Sequence, residues 1–273
     1  MSRHQPPVIL SIAGSDSGAG AGVQADLKAI SATGGYACTV LTAVTAQNTC
    51  GVLDVFPISS NHVAKQLDAI FTDFSVRAVK TGMLLNTDII KTVAAKLCEY
   101  NPKWVVVDPV LASTSGKTLL QKDAINTMLD VLVPLADVVT PNLIEANILI
   151  GEEKNDYLDE HQPKLIKKLQ SLNSKAVLLK GGHSSDQENC TDVLILPNKT
   201  KTYSTPRIIT SNTHGTGCTL SAALASYLGQ GLVLEEAVER SKCYLTGALK
   251  SASSWRLGQG YGPVNHFFKN IGS

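Results

Sequence analysis

Between Asn212 and Ala222 the chain reads NTHGTGCTLSA, with Gly215 and Gly217 on either side of Thr216 and a strongly helical run behind them. Such a loop leaves backbone N–H groups unpaired, and they add to the positive end of the following helix dipole. The segment is therefore a candidate anion site, above all for phosphate. Cys218 falls in the first turn of that helix, where a thiol pKa is expected to drop, which would put a base or nucleophile beside the anion. A capped helix with a small buried cysteine would use the same residues, so the rest of the chain has to decide.

Other polar residues stand where apolar runs end. Asp108 follows WVVV, Lys180 precedes Gly181-Gly182-His183, and Gln47-Asn48 closes CTVLTAVTA. A carboxylate at such a place caps the next turn or serves a crevice; a lysine snorkels or reaches a phosphate. Asn142 and Glu145, three apart at a helix start, share a face near the positive dipole end. They form a capping box or, beside a phosphate, two oxygen donors for magnesium. His183, His214 and His266 read as hydrogen-bonding loop residues.

Two other stretches imitate known phosphate loops and fail on spacing. GSDSGAGAG, from Gly14 to Gly22, spaces its glycines G-x-G-x-G instead of G-x-G-x-x-G, and no acidic residue ends the second apolar run to hold a ribose. It is either a flexible connection or a loop kept small so that a ligand can approach its backbone. STSGKT, at 113–118, has Leu111 where a P-loop needs its first glycine, which leaves Lys117 as a solvated lysine. No CxxC pair and no HxxxH or HxxEH spacing occurs, so the six cysteines read as reduced thiols and no short zinc motif is present.

Apolar runs and helical periods alternate along the chain. VILSIAG, CTVLTAVTA, VRAVKTG, WVVVDPV, DVVTPN and AVLLKGG predict strands, with helices near 22–33, 61–73, 87–99, 121–132, 143–150 and 162–173. Continuously apolar strands between helices imply a parallel sheet covered on both faces. TDVLILP and TYSTPRII then predict an antiparallel pair around Pro197–Lys201, followed by helices near 217–230 and 234–252. In an open α/β sheet the ligand lies beyond the carboxyl ends of the strands, which gathers Gly14, Gln47, Lys80-Thr81-Gly82, Asp108, Asn142 and Lys180 at one crevice. A TIM barrel obeys the same rule and ranks second, because the late hairpin and helix pair do not continue its repeat.

The 273 residues are 44% hydrophobic, show no composition break or repeat, and read as a single domain. A net charge of +1 offers no field for nucleic acid, and no run is long enough for a signal peptide or membrane span. These features predict a soluble, cytoplasmic protein acting on a small molecule.

GSDSGAGAGVQADLKA, TAQNTCGV, KTGML, DPVL, TPNLIEA, LKGGH, NTHGTGCTLSAALA and GYGPVNH follow one another from about Val8 to Phe267. Together they resemble the hydroxymethylpyrimidine and hydroxymethylpyrimidine-phosphate kinases of thiamin synthesis, within the ribokinase-like superfamily. Cysteine stands in the GTGC loop where most sugar and pyridoxal kinases of that superfamily carry aspartate. The resemblance implies a three-layer α/β/α sandwich with a mostly parallel sheet, one kinase domain over 1–273, a homodimer, and ATP and Mg2+ as cofactors. It implies two successive phosphorylations of 4-amino-5-hydroxymethyl-2-methylpyrimidine, with Cys218, Lys180, Gly215 and Gly217 as catalytic residues. Ala13, Gly14, Asp26, Gln47, Met83 and Val110 would hold the pyrimidine. Asp108, Asn142, Lys180, Thr213, His214 and Thr216 would hold the nucleotide, and Asp108 and Glu145 would serve the metal. One departure is Thr45, where a bacterial relative more often has an aliphatic residue. The polar stretch His183–Asn189 is a candidate lid. Alternatives to this activity are a pyridoxine or pyridoxal kinase of the same fold and a nucleotide or vitamer sensor without turnover.

Overall fold

The computed structural model describes residues 5–111, 122–152, 162–183 and 186–269. Its first strand, β1 (Val8–Ala13), is buried along almost its whole length, as a strand covered on both faces must be. Helix α1 (Gly22–Ala32) carries the chain over to β2 (Tyr36–Leu41), parallel to β1. After β3 (Ala43–Asn48), β4 (Gly51–Pro57) and α2 (Ser60–Phe71), the chain returns to the other side of β1 as β5 (Val76–Thr81). Helix α3 (Thr87–Tyr100), β6 (Trp104–Val107), α4 (Lys122–Thr127), β7 (Val138–Val139), α5 (Leu143–Leu149), α6 (Pro163–Gln170) and β8 (Val177–Leu179) then extend the sheet outward. The hairpin of β9 (Asn189–Ile195) and β10 (Thr200–Pro206) closes that edge antiparallel, and α7 (Thr216–Gly229) and α8 (Leu234–Ala252) follow.

The eight-stranded sheet runs β10-β9-β8-β7-β6-β5-β1-β2, with parallel pairing from β2 through β8. Its two edges are open, which excludes the barrel. Strand order reverses between β1 and β5, and such a switch point opens a crevice at the carboxyl ends of the two strands. Side chains alternate across the sheet. Val79 of β5 packs with Val63, Leu67, Ile90 and Val93 of α2 and α3, whereas Ala78 packs with Ile30, Ala223 and Val238 of α1, α7 and α8. These helices are the outer layers of the three-layer sandwich. Helix α7 is buried continuously from Thr219 to Leu228, so the residues at its start are fixed against the sheet.

CTVLTAVTA, expected as one strand, is two. The chain turns at Thr42, whose amide donates to the Ala13 carbonyl and whose hydroxyl donates to the Met83 carbonyl. Beyond it β3 leaves the main sheet and pairs antiparallel with β4 in a separate two-stranded sheet. β4 was missed in the sequence because no residue of it is fully buried and its pattern does not alternate. Helix α4 gives way to a π-helical turn over Met128–Leu132, inside the predicted helix near 121–132. DVVTPN contributes only Val138 and Val139 to the sheet. The other predicted helices lie within a few residues of the observed ones. STSGKT lies outside the described residues. Among the described residues no helix is long and apolar enough to cross a membrane.

Candidate functional site

The GTGC loop is held by close backbone approach. Gly215 has φ +78°, and a Cβ there would lie 1.8 Å from the Gly20 carbonyl oxygen, so only glycine lets this loop pack on the Gly14–Gly22 loop. His214 is tied to the C-terminal segment, its amide donating to the Gly262 carbonyl, while Asn212 donates to the carbonyls of Ala252 and Trp255. Thr213 accepts at its carbonyl from the Thr216 amide and hydroxyl. Thr219 donates to the Gly215 carbonyl and meets His266 at 3.0 Å. Burial, with Lys28 nearby, pushes His266 down to about 4, so it is a neutral hydrogen-bonding partner.

The Lys180 ammonium lies at the start of α7. A Cβ added to Gly217 would stand 3.3 Å from Lys180 Nζ and 3.9 Å from Asp108 Oδ2. Lys180 donates to Asp108 Oδ1 at 2.8 Å and stands 3.7 Å from Glu145 Oε2. Asp108 also accepts from Thr140 at 3.0 Å and from Ser221 at 3.1 Å. Burial opposes the charge on both partners, but the Lys180 and Lys80 ammoniums, with the Lys180 and Thr140 hydrogen bonds, hold Asp108 below the usual carboxylate range. The Asp108 and Glu145 carboxylates in turn hold Lys180 above the usual lysine value.

Asn142 and Glu145 do form the capping box. The Asn142 side chain accepts from the Glu145 amide at 2.9 Å, and Glu145 Oε2 accepts from the Asn142 amide at 2.8 Å. Its geometry also leaves Glu145 against the ion pair. Burial pushes this carboxyl up to about 7, with Asp108 adding to the rise and Lys180 and the backbone of Asn142 and Leu111 opposing it. Among the described residues no group of three His, Cys, Asp or Glu side chains could hold a metal alone.

Cys218 overturns an expectation. Burial pushes its thiol up to about 11, with Asp26 and Asp108 adding to the rise, against Lys80 and the Gly22 amide. The packed surroundings of this half-buried thiol and two nearby buried carboxylates thus outweigh the helix terminus that was expected to lower it. Lys80, which opposes that rise, was expected among the strand-end residues facing the crevice. It is fully buried and donates to both oxygens of Asp26, at 2.9 and 2.8 Å. Asp26, expected on the ring pocket's wall, has no exposed surface; it also accepts from Ser11 at 2.6 Å.

The other residues expected to hold the ring have the following neighbours. A Cβ on Gly14 would lie 2.3 Å from Met83 Cε, so Gly14 and Met83 touch, with Ala13 buried beside them. Asp16, missed in the sequence, organises the first loop: it accepts from the amides of Gly18, Gly20 and Ala21 and stands 2.8 Å from His214 Nε2. Burial works against its ionisation, but His214 and these amides hold it below the usual range. Gln47 Nε2 lies 3.4 Å from His214 Nε2, and Gln47 Oε1 lies 3.2 Å from Thr45 Oγ1. Val110 is partly buried, and its amide donates to the Asp108 carbonyl. Of the candidate lid, residues 184–185 lie outside the described residues; Arg207 holds its flanks through the carbonyls of Gly182, Asp186 and Asn189.

Residues 16–265 match the family described as phosphomethylpyrimidine kinase. The chain is 46% identical over 263 residues to a Rhizobium meliloti protein named hydroxymethylpyrimidine/phosphomethylpyrimidine kinase, covering 96% of this chain and 97% of that one. It is also 46% identical over 258 residues to the thiamine biosynthesis bifunctional protein ThiED of Geobacter sulfurreducens, covering 94% of this chain but only 52% of that longer protein. Among solved structures, Bacillus subtilis pyridoxal kinase in an ADP complex matches with a TM-score of 0.89 at 35% identity, covering 98% of this chain and 100% of that one.

Proposed function

The chain belongs to the phosphomethylpyrimidine kinase family and is a phosphotransferase, and from that premise we propose that it phosphorylates 4-amino-5-hydroxymethyl-2-methylpyrimidine and then the resulting monophosphate, for thiamin synthesis. ATP is the donor in this reading, in keeping with the nucleotide bound by the pyridoxal kinase of the same fold. The protein would act in the cytoplasm, as a homodimer and as one domain.

The observation that carries the reading is the Lys180 ammonium lying against Gly217 at the start of α7. A phosphoryl group in transfer spreads negative charge over its oxygens, so catalysis consists mostly of positioning and charge stabilisation. The amides of Gly215, Gly217 and Cys218 would supply fixed donors and Lys180 a fixed charge, with Thr216 bordering them. Thr213, His214 and Asn142 would border the nucleotide phosphates. Gln47, Met83, Val110 and the backbone at Ala13 and Gly14 would hold the ring, and Asp26 would support the pocket through Lys80. Cys218, mostly a neutral thiol in the unliganded site, would accept the alcohol's proton in the first step through its minor thiolate fraction, becoming the thiol as the alkoxide attacks the phosphoryl group. In the second step the nucleophile is already a phosphate oxygen, and the cradle matters more than a base.

Asp108 and Glu145 are hard oxygen donors beside this cradle, which suits magnesium. Two carboxylates already engaged by Lys180, Thr140, Ser221 and the Asn142 amide would leave most of its coordination to water and phosphate oxygens. When bound, the ion would neutralise charge on the phosphates.

The test is product analysis with ATP, magnesium and the pyrimidine alcohol. Successive mono- and diphosphate products with matching ADP are expected, and absence of pyrimidine-dependent ADP overturns the proposal. A second reading, phosphorylation of pyridoxal-type alcohols, rests on the likeness to the pyridoxal kinase fold; pyridoxal as the better substrate would favour it. ADP formation with neither alcohol would leave a vitamer or nucleotide sensor.

A further inference from the structure

Gln47 sits in a closed chain of donors and acceptors whose members leave its amide only one consistent orientation. The chain begins at Asp16. This carboxylate is ionised and can only accept, so His214 Nε2, 2.8 Å away, carries a proton and donates it. Gln47 Nε2, placed 3.4 Å from that nitrogen, therefore faces a donor with a donor. Turning the amide over about its last side-chain bond, which exchanges N and O with almost no change of shape, puts the carbonyl oxygen there and removes the clash.

The other end gives the same answer from a separate acceptor. Thr45 is buried, and its single hydroxyl proton lies 2.8 Å from the Ser15 carbonyl, measured from Oγ1, which can only accept. Toward Gln47, 3.2 Å away, Oγ1 can then offer only a lone pair. With Gln47 Oε1 on that side the one proton would have to serve two acceptors. With Nε2 on that side no donor faces a donor: Gln47 donates to Thr45, Thr45 donates to Ser15, and the His214 N–H, donated to Asp16, is shared weakly with the Gln47 carbonyl.

We infer that Thr45, together with the Asp16–His214 pair, fixes the polarity of the Gln47 amide, with NH2 toward Thr45 and C=O toward His214, and that Thr45 is thereby a specificity-determining residue for an aminopyrimidine. The second part rests on the pyrimidine reading of the site. After these contacts the amide retains one N–H and one carbonyl lone pair, side by side. An aminopyrimidine edge shows a ring-nitrogen acceptor next to an amine donor, which matches that pair. A 4-oxo pyrimidine shows N–H next to C=O, the reverse pattern. It fits a fixed amide only if the ring turns over, which carries its hydroxymethyl group away from the phosphate cradle.

Two measurements test this. In the unliganded protein, NMR should show Gln47 amide-proton contacts to Thr45 and none to the His214 ring; contacts to the ring would overturn the assigned polarity. In steady-state kinetics the wild type should prefer 4-amino-5-hydroxymethyl-2-methylpyrimidine over its 4-oxo analogue. Thr45→Val, which keeps the shape but removes the acceptor, should compress that preference about three- to tenfold through the Michaelis constants, roughly the net worth of one hydrogen bond. Thr45→Ser should restore it. An unchanged preference in Thr45→Val would overturn the specificity role. No ADP from either pyrimidine in the wild type, with the NMR contacts as expected, would overturn the substrate reading and leave the amide polarity standing.

Discussion

Lys80 Nζ bridges the two carboxylate oxygens of Asp26 at 2.9 and 2.8 Å, and neither side chain has any exposed surface. Burial alone would depress the Lys80 ammonium, but Asp26, with smaller help from Cys218 and Asp108, holds it above its ordinary value. The pair ties the end of β5 to α1 at the switch point of the sheet. Removing one partner leaves the other charge buried without compensation, which typically costs about 3–5 kcal/mol.

Lys80→Met should therefore lower unfolding stability by about that amount. The Lys80→Met, Asp26→Asn double variant should lose clearly less than the two single losses added together. Urea denaturation of the three variants measures the coupling, and additive losses would show that the ion pair is not the source.

Cys218 gives a pH signature. Its thiol is pushed up to about 11, so the thiolate fraction, and any rate that depends on it, should rise about tenfold per pH unit from pH 7 to 9. Cys218→Ala should lower first-step turnover by ~10²–10⁴-fold, flatten that rise and affect the second step less. Initial rates of mono- and diphosphate formation against pH decide it. An alanine variant with wild-type first-step rates would remove Cys218 from the mechanism.

Glu145 makes a stability prediction with a definite sign. Its pKa is raised from 4.5 to about 7, so the folded protein binds a proton that the unfolded chain has already released in this window. The resulting stabilisation is complete below pH 4.5 and is lost as pH rises through about 7, on the order of 3 kcal/mol at most. Glu145→Gln should remove this decline. Denaturation midpoints measured from pH 4.5 to pH 7.5, compared with wild type, are the check.

Gln47→Leu should weaken the pyrimidine by about tenfold to a hundredfold, the usual loss for an unmatched buried polar group, while sparing ATP. Pyridoxine, which lacks the aminopyrimidine edge, should suffer less. Separate Michaelis constants for ATP and each alcohol settle the point; an equal loss of ATP affinity would mean that Gln47 supports the fold of the loop instead of reading the ring.

The alternation of apolar runs with helical periods was legible in the sequence, because residues buried on both faces of a parallel sheet must be continuously apolar. So were the helix start behind the GTGC loop and the Asn142–Glu145 box, which depend on glycine conformation and on contacts three residues apart. Local spacing carries that information. The Lys80–Asp26 pair, the role of Asp16 and the true state of Cys218 were not legible, since each depends on charges brought together across the chain: Asp26 stands 54 residues before Lys80, and His214 stands 198 after Asp16. Helix position alone predicts a lowered thiol pKa, whereas the tertiary structure half-buries that thiol near two buried carboxylates, which reverses the sign. The break at Thr42 was hidden for the same reason. Hydrophobic pattern cannot tell a strand that continues from one that leaves the sheet, and only the hydrogen bonds of Thr42 to Ala13 and Met83 turn β3 outward and bring Gln47 to the site.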